Sequence, residues 1–478
     1  MMSRSWFAIG VVALTVAVLH AAWFIAPHAD GSLLFCPDNT FRDVEVYGQI
    51  RRGQLPLQGP STSVGGAHGY LAYWLFGFWL TLWPSALSLI TLDALVIAAT
   101  LVAMFALTRE LASPAASWLA IALIPATNLA VLVYYPNHIL FLPLAASLAA
   151  LAWLRLDRGG VWPWLLSLSL VLAIGSHSIG WVMLIAAAIA DLRQGRVWLR
   201  NPVVLVPILI YAIPEGFTTV LGNPEGPLAE RSWWDAFRER RPLDVFRSLP
   251  FLHIDDDDPT LTQWVHAFAT LVALALSRPR AEQPHPRWAS LWWAYVGSYV
   301  FFCFWTPDTQ YYFPMFALLP AVFARAADRL AARGWSTLAG AALLSLIMVT
   351  SADLRSRLDA WLRGPIACHI ADDLEIVASL SALGASDREV LERTLFDGET
   401  PGQRHLAWLH LGFGEIHAAA EPARCIHIRS AGPSTGAQST PESWQIQTSE
   451  HESCPANLQQ YGEDIWYLDL ASGTLYRR

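Results

Sequence analysis

Apolar residues run through most of this chain in long blocks, and the polar positions gather in short connections between them. A helix that crosses a bilayer needs about 20 mostly apolar residues, fewer when flanking side chains snorkel. Eleven blocks come near that standard: residues 6–24, 85–107, 115–134, 139–154, 161–175, 178–190, 202–221, 261–277, 288–306, 311–326 and 335–351. The pattern predicts an α-helical polytopic membrane protein with about eleven transmembrane helices. The first block also has features of a secretory signal, with Arg4 ahead of it and small residues near Ala26 and Ala29, but the many blocks behind it favour an uncleaved helix. Segment 68–83 is equally apolar, yet its density of Trp and Tyr and the Pro84 that closes it predict a helix lying in the membrane interface. A second interfacial helix is predicted from Ser232 to Leu249, where Trp233, Trp234, Phe237 and Phe246 mix with Arg238, Arg240, Arg241 and Arg247.

Arginine in the short connections sets the orientation. Arg4, Arg109, Arg155 and Arg158, Arg193, Arg196 and Arg200, Arg278, Arg280 and Arg287, and Arg325, Arg329 and Arg333 all fall on one side. The opposite turns, at Pro136 and Asn137, Ser176 and His177, and Pro307 and Asp308, hold none. The N-terminus is therefore expected in the cytoplasm of an inner-membrane protein. Loops 25–84 and 222–260 and everything after about residue 352 are expected on the exported side.

The division into domains follows: a transmembrane domain over 1–352, and a soluble exported α+β domain over 353–478, where polar residues return. In the latter, helical pattern covers Ala371 to Leu383 and Asp387 to Leu395, and short strand-like runs stand at Cys425 to Ile428 and Ile465 to Leu470. Cys36, Cys368, Cys425 and Cys454 lie in exported segments and Cys303 within a block. No zinc spacing occurs, and an oxidised pair in the C-terminal domain, most simply Cys425 with Cys454, is expected against the alternative of thiols throughout.

Composition narrows the function classes. Of 478 residues, 54% are hydrophobic and 15% charged, with a mean hydropathy of +0.36, which excludes an ordinary soluble domain. The net charge of -8 says little about partners, since the acids concentrate outside the blocks in runs such as Asp255 to Asp258; nucleic acid is not expected as a ligand. All 31 basic residues are Arg; no function follows from that.

The best candidate for an active site is the loop after the first block. It reads FRDVEVY from Phe41 to Tyr47, then GQLPLQGPSTSVGG from Gly53 to Gly66. Long polar connections between apolar helices tend to carry function, and Asp43 is the member best suited to chemistry. Asp93 stands inside the second block, where an acid is costly and faces a polar cavity or a partner helix. Asn137 and His177, in arginine-poor turns, read either as substrate contacts or as groups capping and packing a helix end. The acids of His253 to Asp258 offer oxygen ligands for a divalent cation, or a solvated turn.

The order of these features resembles the GT-C glycosyltransferases of the protein O-mannosyltransferase and aminoarabinose-transferase type. The likeness lies in FRD ending at Asp43, GxLPLxGP from Gly53 to Pro60, the aromatic interfacial helix, YPNHILFLP from Tyr135 to Pro143, and QYYFPMFALLP from Gln310 to Pro320. It covers about residues 1–352. It implies GT-C architecture and a hexosyl- or pentosyltransferase that takes sugar from a polyprenyl-phosphate donor to an envelope glycolipid, glycan or protein on the exported face. Asp43 would be the base, with inversion at the sugar; Arg51 and Arg52 would meet the phosphate; Asn137, His177, Tyr311 and Tyr312 would contact substrate. The departing phosphate needs positive charge or a metal ion, so the cofactor is left as none or a divalent cation. Two departures stand out: Asp43 and Glu45 are separated by Val44, and Gln310 replaces a basic residue. The rival class is a transporter or flippase of lipid-linked saccharides, for which paired broken helices or an inverted repeat are expected.

Overall fold

Leu71–Leu82 (α1) opens the described helical part of the chain with a one-sided helix: Ala72, Tyr73, Phe76 and Leu80 are fully buried while Leu75, Phe78 and Leu82 are exposed. At 12 residues, about 18 Å by helical rise, it is too short for a bilayer core of about 30 Å. The computed structural model describes residues 53–57, 69–83, 86–124, 138–221, 261–280, 287–305 and 317–362, a few single positions apart, together with Val46, Ile50, Gly59, His285 and four strands between 425 and 477. Ten further helices follow among the described residues: α2 (Ala86–Leu111), α3 (Pro114–Leu123), α4 (Phe141–Leu154), α5 (Trp162–Ser176), α6 (Gly180–Arg193), α7 (Pro202–Leu221), α8 (Leu261–Ser277), α9 (Trp288–Trp305), α10 (Leu319–Ala332) and α11 (Ser336–Leu362).

Local chemistry explains several boundaries. Ser113 caps α3 by accepting from the Ala116 N–H, with Pro114 in the first turn where its missing donor does no harm. Gly159 and Gly160, at φ 61° and 63°, make the left-handed turn that brings α5 back against α4. Pro207 and Pro214 lie inside α7, each removing one backbone hydrogen bond.

The blocks and the helices agree closely from 139 to 306 and differ at three places. Among the described residues one stretch, Thr91–Leu111, is by itself long and apolar enough to cross a bilayer, and the other apolar helices are shorter. Of the expected span at 311–326 the described part lies mainly in α10, which starts at Leu319 and runs on to Ala332. Every residue of α10 from Leu319 to Ala327 except Arg325 is buried, and the helix also carries Asp328 and Arg329; the apolar run marked its buried first half rather than its length. Helix α11 continues through the expected domain boundary at 352 to Leu362, because a run of good helix formers outlasts the apolar block. The block at 6–24, the interfacial helix at 232–249 and the helical patterns at 371–395 lie outside the described residues.

The described residues form two compact units, one holding Pro56–Leu75 with Ile90–Asp359, the other Phe76–Leu89 with the C-terminal strands. In the first unit α5 is central, packed on α4 and α7 through Leu142, Ala145, Leu170, Ala173 and Val204, all buried. In the second, β1 (Cys425–Ser430), β2 (Trp444–Ser449), β3 (Ile465–Asp469) and β4 (Thr474–Arg477) form an antiparallel sheet in the order β2-β1-β3-β4. Ile428 stands opposite Ile446 on one side and Trp466 on the other. Cys425 opens β1, while Cys454 lies outside the described residues.

Arginines at the ends of several helices of the first unit are drawn together by side-chain bonds, which mark its arginine-rich end. That end is cross-braced. Arg155 and Arg158 both pair with Glu110, the latter at 3.0 Å, joining α4 and the turn after it to α2. Arg287 donates to Asp157 at 2.5 Å and to the Trp153 carbonyl, joining the start of α9 to the end of α4. Asp328 on α10 accepts from the Ser113 N–H at 2.7 Å and its hydroxyl at 2.5 Å. Arg329 donates to the Leu276 carbonyl of α8, and Gln194 to the Ser290 hydroxyl at 3.0 Å. Exposed pairs of this kind contribute little, but Arg287 is 4% exposed and bonds a backbone carbonyl as well as a carboxylate.

Candidate active site

The opposite, arginine-poor end gathers buried polar side chains from four elements. A 3₁₀ turn, His138–Leu140, leads into α4 and holds His138. Helix α5 stops at His177, whose backbone is extended at φ -160°, ψ 151°. Tyr70 and Tyr73 come from the start of α1, and Tyr211 and Glu215 from the far end of α7. Tyr73 Oη and His138 Nδ1 share a buried hydrogen bond of 2.8 Å. The His138 ring stacks on His177 with centroids 5.3 Å apart and planes within 8°. Both histidines are 3% exposed.

The Ile179 N–H donates to His177 Nδ1 at 3.0 Å. A ring nitrogen that accepts carries no hydrogen, so neutral His177 holds its proton on Nε2. Burial, and then the neighbouring His138, push the His177 pKa well below the usual histidine value. His177 therefore stays uncharged at neutral pH and offers a hydrogen-bonding face rather than a cation.

Glu215 is 2% exposed and lies within electrostatic reach of the Tyr70 and Tyr211 phenols. The two phenol rings are 5.3 Å apart. Burial first, and then the Glu215 charge, push the Tyr70 pKa up, so that phenol stays protonated. Trp74 packs against Tyr70 with tilted rings, centroids 4.6 Å apart, and donates its indole N–H to the Pro56 carbonyl at 2.8 Å, which ties Pro56 to α1.

Glycine makes this crowding possible. A Cβ on Gly69 would come within 2.6 Å of the Gly175 backbone and the Ile174 carbonyl, and one on Gly175 within 2.6 Å of Leu71 Cβ and Tyr211 Oη. Backbone set against backbone has no rotamer to yield. We expect Gly69→Ala to lower stability by about 1–3 kcal/mol through overpacking and to part Tyr70 from Tyr211. Thermal unfolding of the detergent-purified variant checks the first effect, and near-UV circular dichroism of the tyrosines the second.

Of the residues singled out in the sequence, the structure places His177 in this cluster. Asp43, Arg51, Arg52, Asn137, Tyr311 and Tyr312, and the Asp255 to Asp258 run, lie outside the described residues. Asp93 is fully buried in α2, and neither carboxylate oxygen has a hydrogen-bond partner among the described residues, so it does not pair with a neighbouring helix there. Sequence reading missed His138, Glu215 and the tyrosines. Glu215 was detectable, as an acid inside an apolar block and beside a proline is a functional candidate by default; His138 adjoined Asn137 in the same turn. Among the described residues no three His, Cys, Asp or Glu side chains gather in a way that would hold a metal ion.

No protein-family model and no curated protein sequence matches the chain. Among solved structures it is similar to ArnT from Cupriavidus metallidurans, crystallised bound to undecaprenyl phosphate, with a TM-score of 0.51 and 15% identity over 87% of this chain and 77% of that one. It is also similar to the Archaeoglobus fulgidus oligosaccharyltransferase tethered to an acceptor peptide, with a TM-score of 0.47 and 11% identity over 88% of this chain and 65% of that one. The likeness to ArnT is one of fold. The chain shares that fold.

Proposed function

We propose that the chain is an integral-membrane glycosyltransferase that moves a sugar from a polyprenyl-phosphate donor to an envelope acceptor on the exported face. The observation that carries this is the buried cluster of Tyr73, His138, His177 and Glu215 at the arginine-poor end of a GT-C fold. By the arginine pattern that end faces outward, with the N-terminus in the cytoplasm and the C-terminal strands exported. The undecaprenyl phosphate bound by ArnT supports a lipid-linked donor of the same chemical kind.

In this reading the acceptor hydroxyl oxygen attacks the anomeric carbon from the face opposite the phosphate. The bond from that carbon to the phosphate oxygen breaks, its electron pair leaves with the lipid phosphate, and the sugar is inverted. Asp43 takes the hydroxyl proton, and Arg51 and Arg52 meet the charge that grows on the phosphate. Asn137, Tyr311 and Tyr312 line the sugar. Neutral His177 and the protonated Tyr70 supply hydrogen bonds that turn the sugar without adding charge beside the reacting carbon.

The braces at the arginine-rich end support an enzyme over a transporter. A carrier that alternates access has to part each end in turn, and buried Arg287 with its carbonyl and carboxylate partners opposes that. The test is single-turnover transfer by the purified full chain in nanodiscs, with a panel of polyprenyl-phosphate sugars and acceptors. Transfer, or slow donor hydrolysis without acceptor, is expected. If neither occurs across the panel while the protein moves lipid-linked saccharides between leaflets, the enzyme reading gives way to the flippase.

A further inference from the structure

Beside the His177 turn begins a slot that runs toward the arginine-rich end. Its volume is about 120 Å³, and it is walled by α4, α5, α6 and α9. Along α6 it extends from Ile179 past Met183 and Ala187 to Ala190, about 16 Å by helical rise. Eight alanines line it, so it is narrow and apolar. Three lining side chains, Trp153, Tyr295 and Ser298, break that character. Tyr295 is 2% exposed and Trp153 is 5% exposed, and neither Tyr295 Oη nor Trp153 Nε1 has a hydrogen-bond partner among the described residues. Both carry a hydrogen to donate, and the indole N–H can do nothing else. A buried donor left unused is destabilising, so an occupant that accepts from both groups is what the wall is missing.

The occupant is constrained by the wall. A sugar or phosphate would lose its hydration here and find too few partners, and a saturated chain would fit but offer the donors nothing. The two donors come from different levels of the wall: Tyr295 lies eight residues, about 12 Å by helical rise, beyond Arg287, and Arg287 bonds the Trp153 carbonyl. A slender apolar chain with electron density repeated along its length satisfies all of this. We infer that the slot seats the isoprenoid chain of the donor lipid, and that Tyr295 and Trp153 read its unsaturation by donating to carbon–carbon double bonds. This rests on the lipid-linked donor proposed above and adds a selectivity to it: an unsaturated polyprenyl chain is preferred to a hydrogenated one of equal length.

The test compares binding of an all-unsaturated polyprenyl phosphate and its fully hydrogenated counterpart to the full chain in nanodiscs. Weak hydrogen bonds to π electrons predict a preference of about two- to five-fold per donor. Tyr295→Phe removes only the hydroxyl, keeps the ring, and should reduce the preference by one such factor while leaving affinity for the hydrogenated lipid unchanged. Trp153→Phe should reduce it likewise. Because Tyr295→Phe deletes an unpartnered buried group, its unfolding midpoint without lipid should match or exceed the wild type, which guards against misfolding as the cause. Equal binding of the two lipids by the wild type, or an undiminished preference in Tyr295→Phe, as an ordered water on these donors would produce, overturns the inference and leaves the donor reading intact. Failure of both lipids to bind removes the donor reading, and this inference with it.

Discussion

Asp43→Asn should abolish sugar transfer while the protein still inserts and folds. The amide keeps the size of the carboxylate but cannot take the acceptor's proton at neutral pH, and losing a general base slows reactions by about 100- to 10,000-fold. Binding of the lipid donor should be nearly unchanged, because the carboxylate acts on the acceptor. Arg51→Ala and Arg52→Ala should show the opposite pattern, with weakened donor binding from the loss of charge-assisted bonds to phosphate. Separate measurements of donor binding and single-turnover transfer in nanodiscs distinguish the two. A change of only a few-fold in Asp43→Asn would make that acid structural and shift attention to Glu215, the buried acid beside Tyr70 and Tyr211.

What could be read from the chain, and what could not, divides along a physical line. Hydrophobic blocks report burial against lipid or protein, so helices α4 to α9 were legible nearly to the residue: 202–221 and 261–277 match α7 and α8. Helix ends without a change in polarity were not, which is why α10 and α11 outran their apolar blocks. The site was legible only as a location. His177 was recognisable because it interrupts an arginine-poor turn. Its partnership with His138 joins residues 39 positions apart, and that with Tyr73 at 2.8 Å from His138 spans still more sequence. Such contacts depend on how Gly69 and Gly175 let α1 and α5 approach, and a single sequence carries no record of which glycines touch. Glu215 was hidden for another reason: one acid in twenty residues leaves an apolar block apolar.

The histidine pair leads to the second large effect, which is on pH. His177 is buried, its Nδ1 accepts from the Ile179 N–H, and its ring lies against His138, while Tyr73 closes the far side of His138. No carboxylate is among the groups that shift it; burial and then His138 both hold its pKa down. The sign of the linkage is therefore fixed. Above the ordinary histidine pKa of about 6.5 the ring is neutral in both folded and unfolded chain, and its contribution to stability is fully present. Below about 6.5 the unfolded chain takes up a proton that the folded chain refuses, so stability is lost as pH falls toward the depressed folded value. The loss approaches about 1.4 kcal/mol per pH unit, or about tenfold in the folding equilibrium. His177→Asn should flatten that slope, since an Asn side-chain oxygen can still accept from the N–H two residues on but does not titrate. Unfolding midpoints of the two proteins in one detergent, followed from pH 7.5 down to about pH 4.5, should diverge below about pH 6.5. Parallel curves would mean that His177 titrates normally in the folded protein and that the pair is open to water rather than sealed against it.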